Sequence, residues 1–200
     1  MVNKLTHGRS YKLSQLGFGL VELMVSISIM VLITSVILVK NNSYNGATLL
    51  RNQAYEIALQ LREVQLLSIS AAESGSGFRN VYGVHFSTAA NNTYFIFRDK
   101  DSDYYFDDAD GERFGKQGSL DSKFVIDAIR LIDSPDPLVQ LSITFERPNF
   151  DAKFYEGSLN FVAPAVSAVE IDVRTKGTTG LGSGKIRTVE ITRTGQITVK

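Results

Sequence analysis

The side chains able to do chemistry gather in three places. The first is an acidic run in which Asp99, Asp101 and Asp103 alternate and are followed by Asp107 and Asp110. Oxygen ligands at alternating positions with a later carboxylate are what calcium takes from a loop. The sixth position, where such loops turn on a glycine, is Tyr104, and the twelfth is Asp110 rather than a glutamate. No helices flank it, so these aspartates form a candidate calcium loop without the usual helical frame. The plainer reading, an acidic loop solvated by water, stands beside it. The second place is a set of C-terminal cations, Arg174, Lys176, Lys185, Arg187, Arg193 and Lys200. A polar strand face beside a loop is the reading the residues favour. The third is Glu22, the one ionisable residue in a long apolar run. A carboxylate there costs roughly 3 kcal/mol or more near a membrane core, and a bare anchor has no reason to keep one.

His85 sits between Val84 and Phe86 and reads as a strand residue rather than a catalyst. There is no G-x-S-x-G, no phosphate-binding glycine loop and no histidine pair for zinc. The sequence has no cysteine, which excludes disulfides, thiolate metal sites and cysteine nucleophiles. No catalytic constellation is offered, and an enzyme is not expected.

The bulk composition is that of a folded protein: 44% of the 200 residues are hydrophobic and 21% charged, with a formal net charge of zero. No overall field recruits polyanions. The charge is unevenly placed, since Met1 to Gly17 holds Lys4, Arg9 and Lys12 and no acid. Setting those aside leaves 18 basic against 21 acidic residues, about −3 for a chain starting at Phe18.

The elements that must position these residues follow from periodicity. Phe18 to Val39 is long and apolar enough to cross a bilayer as a helix, for which roughly 20 residues are needed. The basic residues before it place that side in the cytoplasm. The run is too long for a secretory signal, and Lys40-Asn41-Asn42 offers no small-residue cleavage site. Beyond it Leu50, Ala54, Ile57, Ala58, Leu61, Val64 and Leu67 recur at helical steps, and the glycine-serine run from Glu73 to Gly77 stops the pattern. Asn41 to Gly46 is poor in helix formers and is the place where the helix could bend or melt. After Gly77 the period becomes that of strands: 81–86, 93–97, 124–129, 138–145, 158–162, 169–173, 187–191 and 196–199, with turns at Asn91-Asn92 and Thr194-Gly195. The expected class is α+β, with one long helix whose C-terminal half packs on antiparallel sheet. Its divisions are a leader at 1–17, a membrane helix at 18–39, an amphipathic continuation at 40–76 and a β-rich domain at 77–200.

Gly17-Phe18-Gly19-Leu20-Val21-Glu22, behind a basic leader and heading an apolar run, resembles the prepilin processing motif of type IV pilins and pseudopilins. The resemblance implies a pilin-like fold. It implies that prepilin peptidase cuts after Gly17 and methylates the new amine of Phe18. Glu22 then stands at the fifth mature position, where the family pairs it with the amine of a neighbouring subunit. The downstream half, with its terminal hairpin from Arg187 to Val199, is similar to the GspH/FimT minor pseudopilins. What this implies is a structural subunit of a type IV pilus or type II secretion pseudopilus. Such a subunit is a single-pass inner-membrane protein with its C-terminal domain outside the cytoplasm. Its partners are sibling subunits, the peptidase and the membrane, and it requires no cofactor; calcium enters only as the ion the acidic loop would take. The alternative is a DNA-binding minor pilin for natural transformation, because Gly184-Lys185-Ile186-Arg187 resembles a G-R-x-R element of DNA-uptake pilins.

Overall fold

The computed structural model describes residues 19–70, 81–134, 136–145, 150–157, 160–161, 166–177 and 186–200. The chain divides into two units, Met1–Ser43 and Tyr44–Lys200. One helix, α1, is assigned from Leu20 to Ile69. Its backbone is helical through 41–46, so the helix does not melt there. It closes at Ile69, short of Glu73; the stop signal itself lies outside the described residues.

In the first unit, Leu20–Leu38 is long and apolar enough to cross a membrane, and none of it is buried within the chain. Three of its hydroxyls are satisfied locally. Ser26, Ser28 and Thr34 donate to the carbonyls of Glu22, Met24 and Met30, at 2.8, 2.8 and 2.7 Å. A hydroxyl closed on its own helix in this way loses little on leaving water.

Among its described residues the second unit holds eleven strands: β1 Tyr82–Ser87, β2 Thr93–Arg98, β3 Gly118–Ser119, β4 Phe124–Leu131, β5 Pro137–Leu138, β6 Gln140–Phe145, β7 Ala152–Gly157, β8 Asn160–Phe161, β9 Ala168–Thr175, β10 Ile186–Thr192 and β11 Ile197–Val199. They form a six-stranded sheet in the order β3-β2-β1-β6-β7-β8 and a five-stranded sheet in the order β11-β10-β9-β4-β5. The pairings within both are antiparallel. The class is therefore α+β, as the change of period predicts. Two details differ. The expected strand at 138–145 is two short pieces, β5 and β6, in different sheets. Strand β7 was not expected at all: Tyr155 and Phe154 are both buried, so the alternation that marks a half-buried strand is lost.

The helical stripe packs as its spacing requires. Leu50, Ala54, Ile57, Ala58, Leu61 and Val64 are buried in one hydrophobic cluster with Val84, Phe86, Ile143 and Phe145 of the first sheet and Ile129, Ile171, Val189 and Ile191 of the second. Gln65 fastens the same helix by polar contacts. Its amide donates to the carbonyls of Phe150, at 2.9 Å, and Gly195, at 3.1 Å, so one side chain ties α1 to loops leading from both sheets. Gly195 has φ 79° in the β10–β11 turn, and any side chain there would strike the Phe150 carbonyl.

Candidate functional site

Glu22 lies in the first turn of α1, at the end of the helix where free amide groups favour negative charge. The side chains around it are apolar and face outward; Leu20 is 75% exposed and Met24 61%. Gly17 and Phe18 lie outside the described residues.

The acidic run forms the connection after β2, and its placement is less solvated than its composition suggests. The first sheet has two faces. Val84, Phe86, Ile143 and Phe145 point into the core, so His85, Phe95, Phe97 and Ser142 point to the other side. The loop lies over that second face through its aromatic residues. The Phe106 ring is stacked on Phe95 at 5.2 Å and tilted against His85 at 5.2 Å and Phe97 at 5.8 Å. Tyr105 meets His85 edge-on, and Tyr104 stacks on Tyr155 with 5.2 Å between centroids. Gly83, opposite Phe97, is needed here because a side chain would enter the Phe97 ring.

His85 is 7% exposed, and its Nδ1 lies 2.9 Å from Ser142 Oγ, which also accepts the Phe106 amide at 3.2 Å. Burial lowers the imidazole pKa to about 4, so the ring is neutral at physiological pH. It is a buried strand residue that seats the loop.

Asp99, Asp101 and Asp103 have carboxylate oxygens within 4.8 Å of one another; Asp107 and Asp110 do not join them. These oxygens also organise the backbone. Asp99 accepts the amides of Ser102 and Tyr104 at 2.7 and 3.2 Å, Asp101 that of Asp103 at 3.2 Å, and Asp103 that of Tyr105 at 2.8 Å. Asp107 accepts from Ala109 at 2.8 Å, and the main-chain carbonyl of Asp110 accepts from Lys100 Nζ at 3.1 Å. Ser102 and Tyr104 adopt φ of 69° and 63°, so Tyr104 supplies the left-handed turn usually given to glycine. Burial raises the pKa of Asp99, with further upward pressure from the charges of Asp101 and Asp103, against the lowering effect of its amide donors. The donor set is hard oxygen, the kind calcium accepts, with three carboxylates in reach of one point.

One residue of this site was not singled out in the sequence. Glu112 is 1% exposed and accepts the amides of Lys100, at 2.8 Å, and Asp107, at 3.0 Å, stapling the two ends of the acidic run. Burial raises its pKa as well.

Two of the C-terminal cations, Arg174 and Lys200, are engaged with acids of the second sheet. Arg174 pairs with Asp127 at 2.6 Å, and Lys200 with Glu170 at 3.2 Å and with Glu190. Arg130 bridges Glu170 at 3.1 Å and the buried Asp172 at 2.6 Å. Arg187 donates to the Ile186 carbonyl at 3.2 Å, and Lys185 lies outside the described residues.

Comparison of the chain with protein-family models, with curated proteins and with solved structures finds no match.

Proposed function

We propose that the chain is a minor structural subunit of a type IV pilus or type II secretion pseudopilus, of the GspH/FimT kind, and that it works by assembly. The supporting observation is the register of Gly17, Phe18 and Glu22 at the head of a helix whose apolar residues find no cover within the chain. An apolar surface of that length calls for lipid or for other helices. A carboxylate in its first turn calls for a cation. Cleavage after Gly17 by prepilin peptidase supplies one, the methylated amine of Phe18. In a bundle of staggered helices the amine of one subunit meets Glu22 of another, and each compensates the burial of the other. A helix packed on antiparallel sheets is in keeping with a pilin-like domain, held outside the cytoplasm by the span. Calcium held by Asp99, Asp101 and Asp103 belongs to the same proposal, as a ligand that stabilises the domain.

The test is assembly in host cells. Breaking a buried pair leaves one charge uncompensated at roughly 3–5 kcal/mol. Glu22→Ala should leave cleavage, membrane insertion and folding intact while the sheared filament fraction falls sharply. Glu22→Gln, which keeps shape and loses charge, should do nearly the same. Normal incorporation of both variants would refute the reading and leave a plain anchor.

A further inference from the structure

We infer that the outward face of α1 between Arg51 and Leu66 is a seam on which a second copy of this chain docks, as a parallel, in-register helix pair. The seam lies wholly within the second unit. The pair goes beyond the proposed contact of Glu22, which needs staggered helices, because this one has no stagger.

This part of the helix buries one side and leaves the other bare. Leu50, Ala54, Ile57, Leu61 and Val64 lie in the core with both sheets, so the opposite side is open to a partner. There Tyr55, Leu59 and Leu66 are 42%, 64% and 63% exposed. Their spacing fits the apolar seam of a coiled coil, whose positions alternate by three and four residues. Asn52 and Arg62 take the remaining seam positions between 52 and 66. Arg62 turns its charge away, since its guanidinium donates to the Ile197 carbonyl of β11 at 3.2 Å, and its aliphatic stem serves the seam. Leu59, Arg62, Glu63 and Leu66 line one shallow hollow on this face. Four residues so spaced are the hole into which a side chain of the facing helix inserts.

Charge selects the partner and its direction. Arg51 flanks the seam on one side, and Glu56 and Glu63 flank it on the other. All three are exposed, and among the described residues none has an ion-pair partner. Flanking residues of a parallel pair meet across the seam and set which helix pairs with which. In register, Arg51 meets Glu56 of the partner subunit, and the two-fold symmetry makes the same contact again. An antiparallel pair would instead set Glu56 and Glu63 against the same two acids, like charge to like. The face is thus complementary to itself in one direction only.

The absence of cysteine lets single cysteines report the pairing. Full-length protein carrying Leu59→Cys or Leu66→Cys is oxidised in the membranes of its host. A disulfide between copies should form at both positions, several-fold more than at Gln60→Cys, off the seam, or Lys116→Cys, outside the helix. Bonding of like to like at both 59 and 66 requires a parallel pair in register, since an antiparallel one brings at most one of them together. Arg51→Glu should lower the yield at Leu59→Cys several-fold, and adding Glu56→Arg should restore it. An unshifted melting curve for these exposed positions checks that the domain is intact. Equal yields at all four positions would mean chance collision and overturn the inference. So would no disulfide at Leu59→Cys, the result if residues 71–80 or a different protein cover the seam, or a charge reversal that the second reversal does not rescue. In a Glu22→Ala background the disulfide should persist whether or not filaments form. Its loss there would overturn a pair distinct from the filament, whereas its persistence beside normal filaments would count against the reading of Glu22 alone.

Discussion

In the β-rich unit Leu61, Val64, Phe86 and Phe145 are wholly buried, while in the helix before it Leu20, Met30 and Leu32 are 75%, 70% and 67% exposed. Both regions are rich in the same residue types. They differ in where the cover for those residues comes from. The domain closes its apolar surface with its own helix and two sheets. The first unit leaves every side chain of its apolar window uncovered. A structure that is complete within the chain fails by unfolding, whereas one that is completed by lipid or neighbours fails by not associating. Substitutions in the two regions should therefore be read out by different experiments.

The largest effect expected from that contrast is in the core. Leu61→Ala removes a fully buried side chain from the cluster shared by the helix and both sheets, and should destabilise the domain by about 2–5 kcal/mol. Leu32→Ala, in the exposed window, should leave denaturant unfolding of the same domain unchanged. Similar losses from the two variants would mean that the domain does not close its own core.

A smaller effect concerns the second face of the first sheet. His85 has a folded-state pKa of about 4 against 6.5 in the unfolded chain, so the folded state binds a proton less readily. Its contribution is intact above pH 6.5, is lost as the pH falls, and levels off below about 4. Between pH 7 and pH 5 this amounts to about 2 kcal/mol of stability. The raised pKa values of Asp99 and Glu112 act in the opposite sense over the acid range, so the comparison must be made against a variant. His85→Phe keeps a ring against Tyr105 and Phe106 and should lose that part of the acid sensitivity. An unchanged pH profile would show that the loop is not seated on a neutral imidazole.

The smallest effect is that of calcium. A ligand bound only by the folded state, at a few times its dissociation constant, adds about 1 kcal/mol. The domain from Tyr44 onward should melt higher with calcium than with chelator, and Asp101→Asn should narrow the difference. Superimposable melting curves would reject the ion.

How far the sequence could be read follows the same divide. The span, the helical stripe from Leu50 to Val64 and most of the strands were legible because each buries one face and repeats with its own period. Strand β7 was not, because Tyr155 is covered by Tyr104 and Phe154 by the core, leaving no polar face to mark it. Glu112 was not legible either. It reads as one more acid beside an acidic run, and only its burial against the amides of Lys100 and Asp107 distinguishes it. The part of Tyr104, Tyr105 and Phe106 in holding the loop was equally hidden, since it depends on rings contributed by β1, β2 and β7.

The central claim, that this helix is built to be completed by other copies of its kind, turns on the state of its first residue. Mass spectrometry of the N-terminal peptide from protein made in its host tests it most directly. The account predicts a peptide that begins at Phe18, carries a methyl group on its amine and lacks Met1 to Gly17. A protein that retains Met1, or one cut beyond Val39, would contradict it.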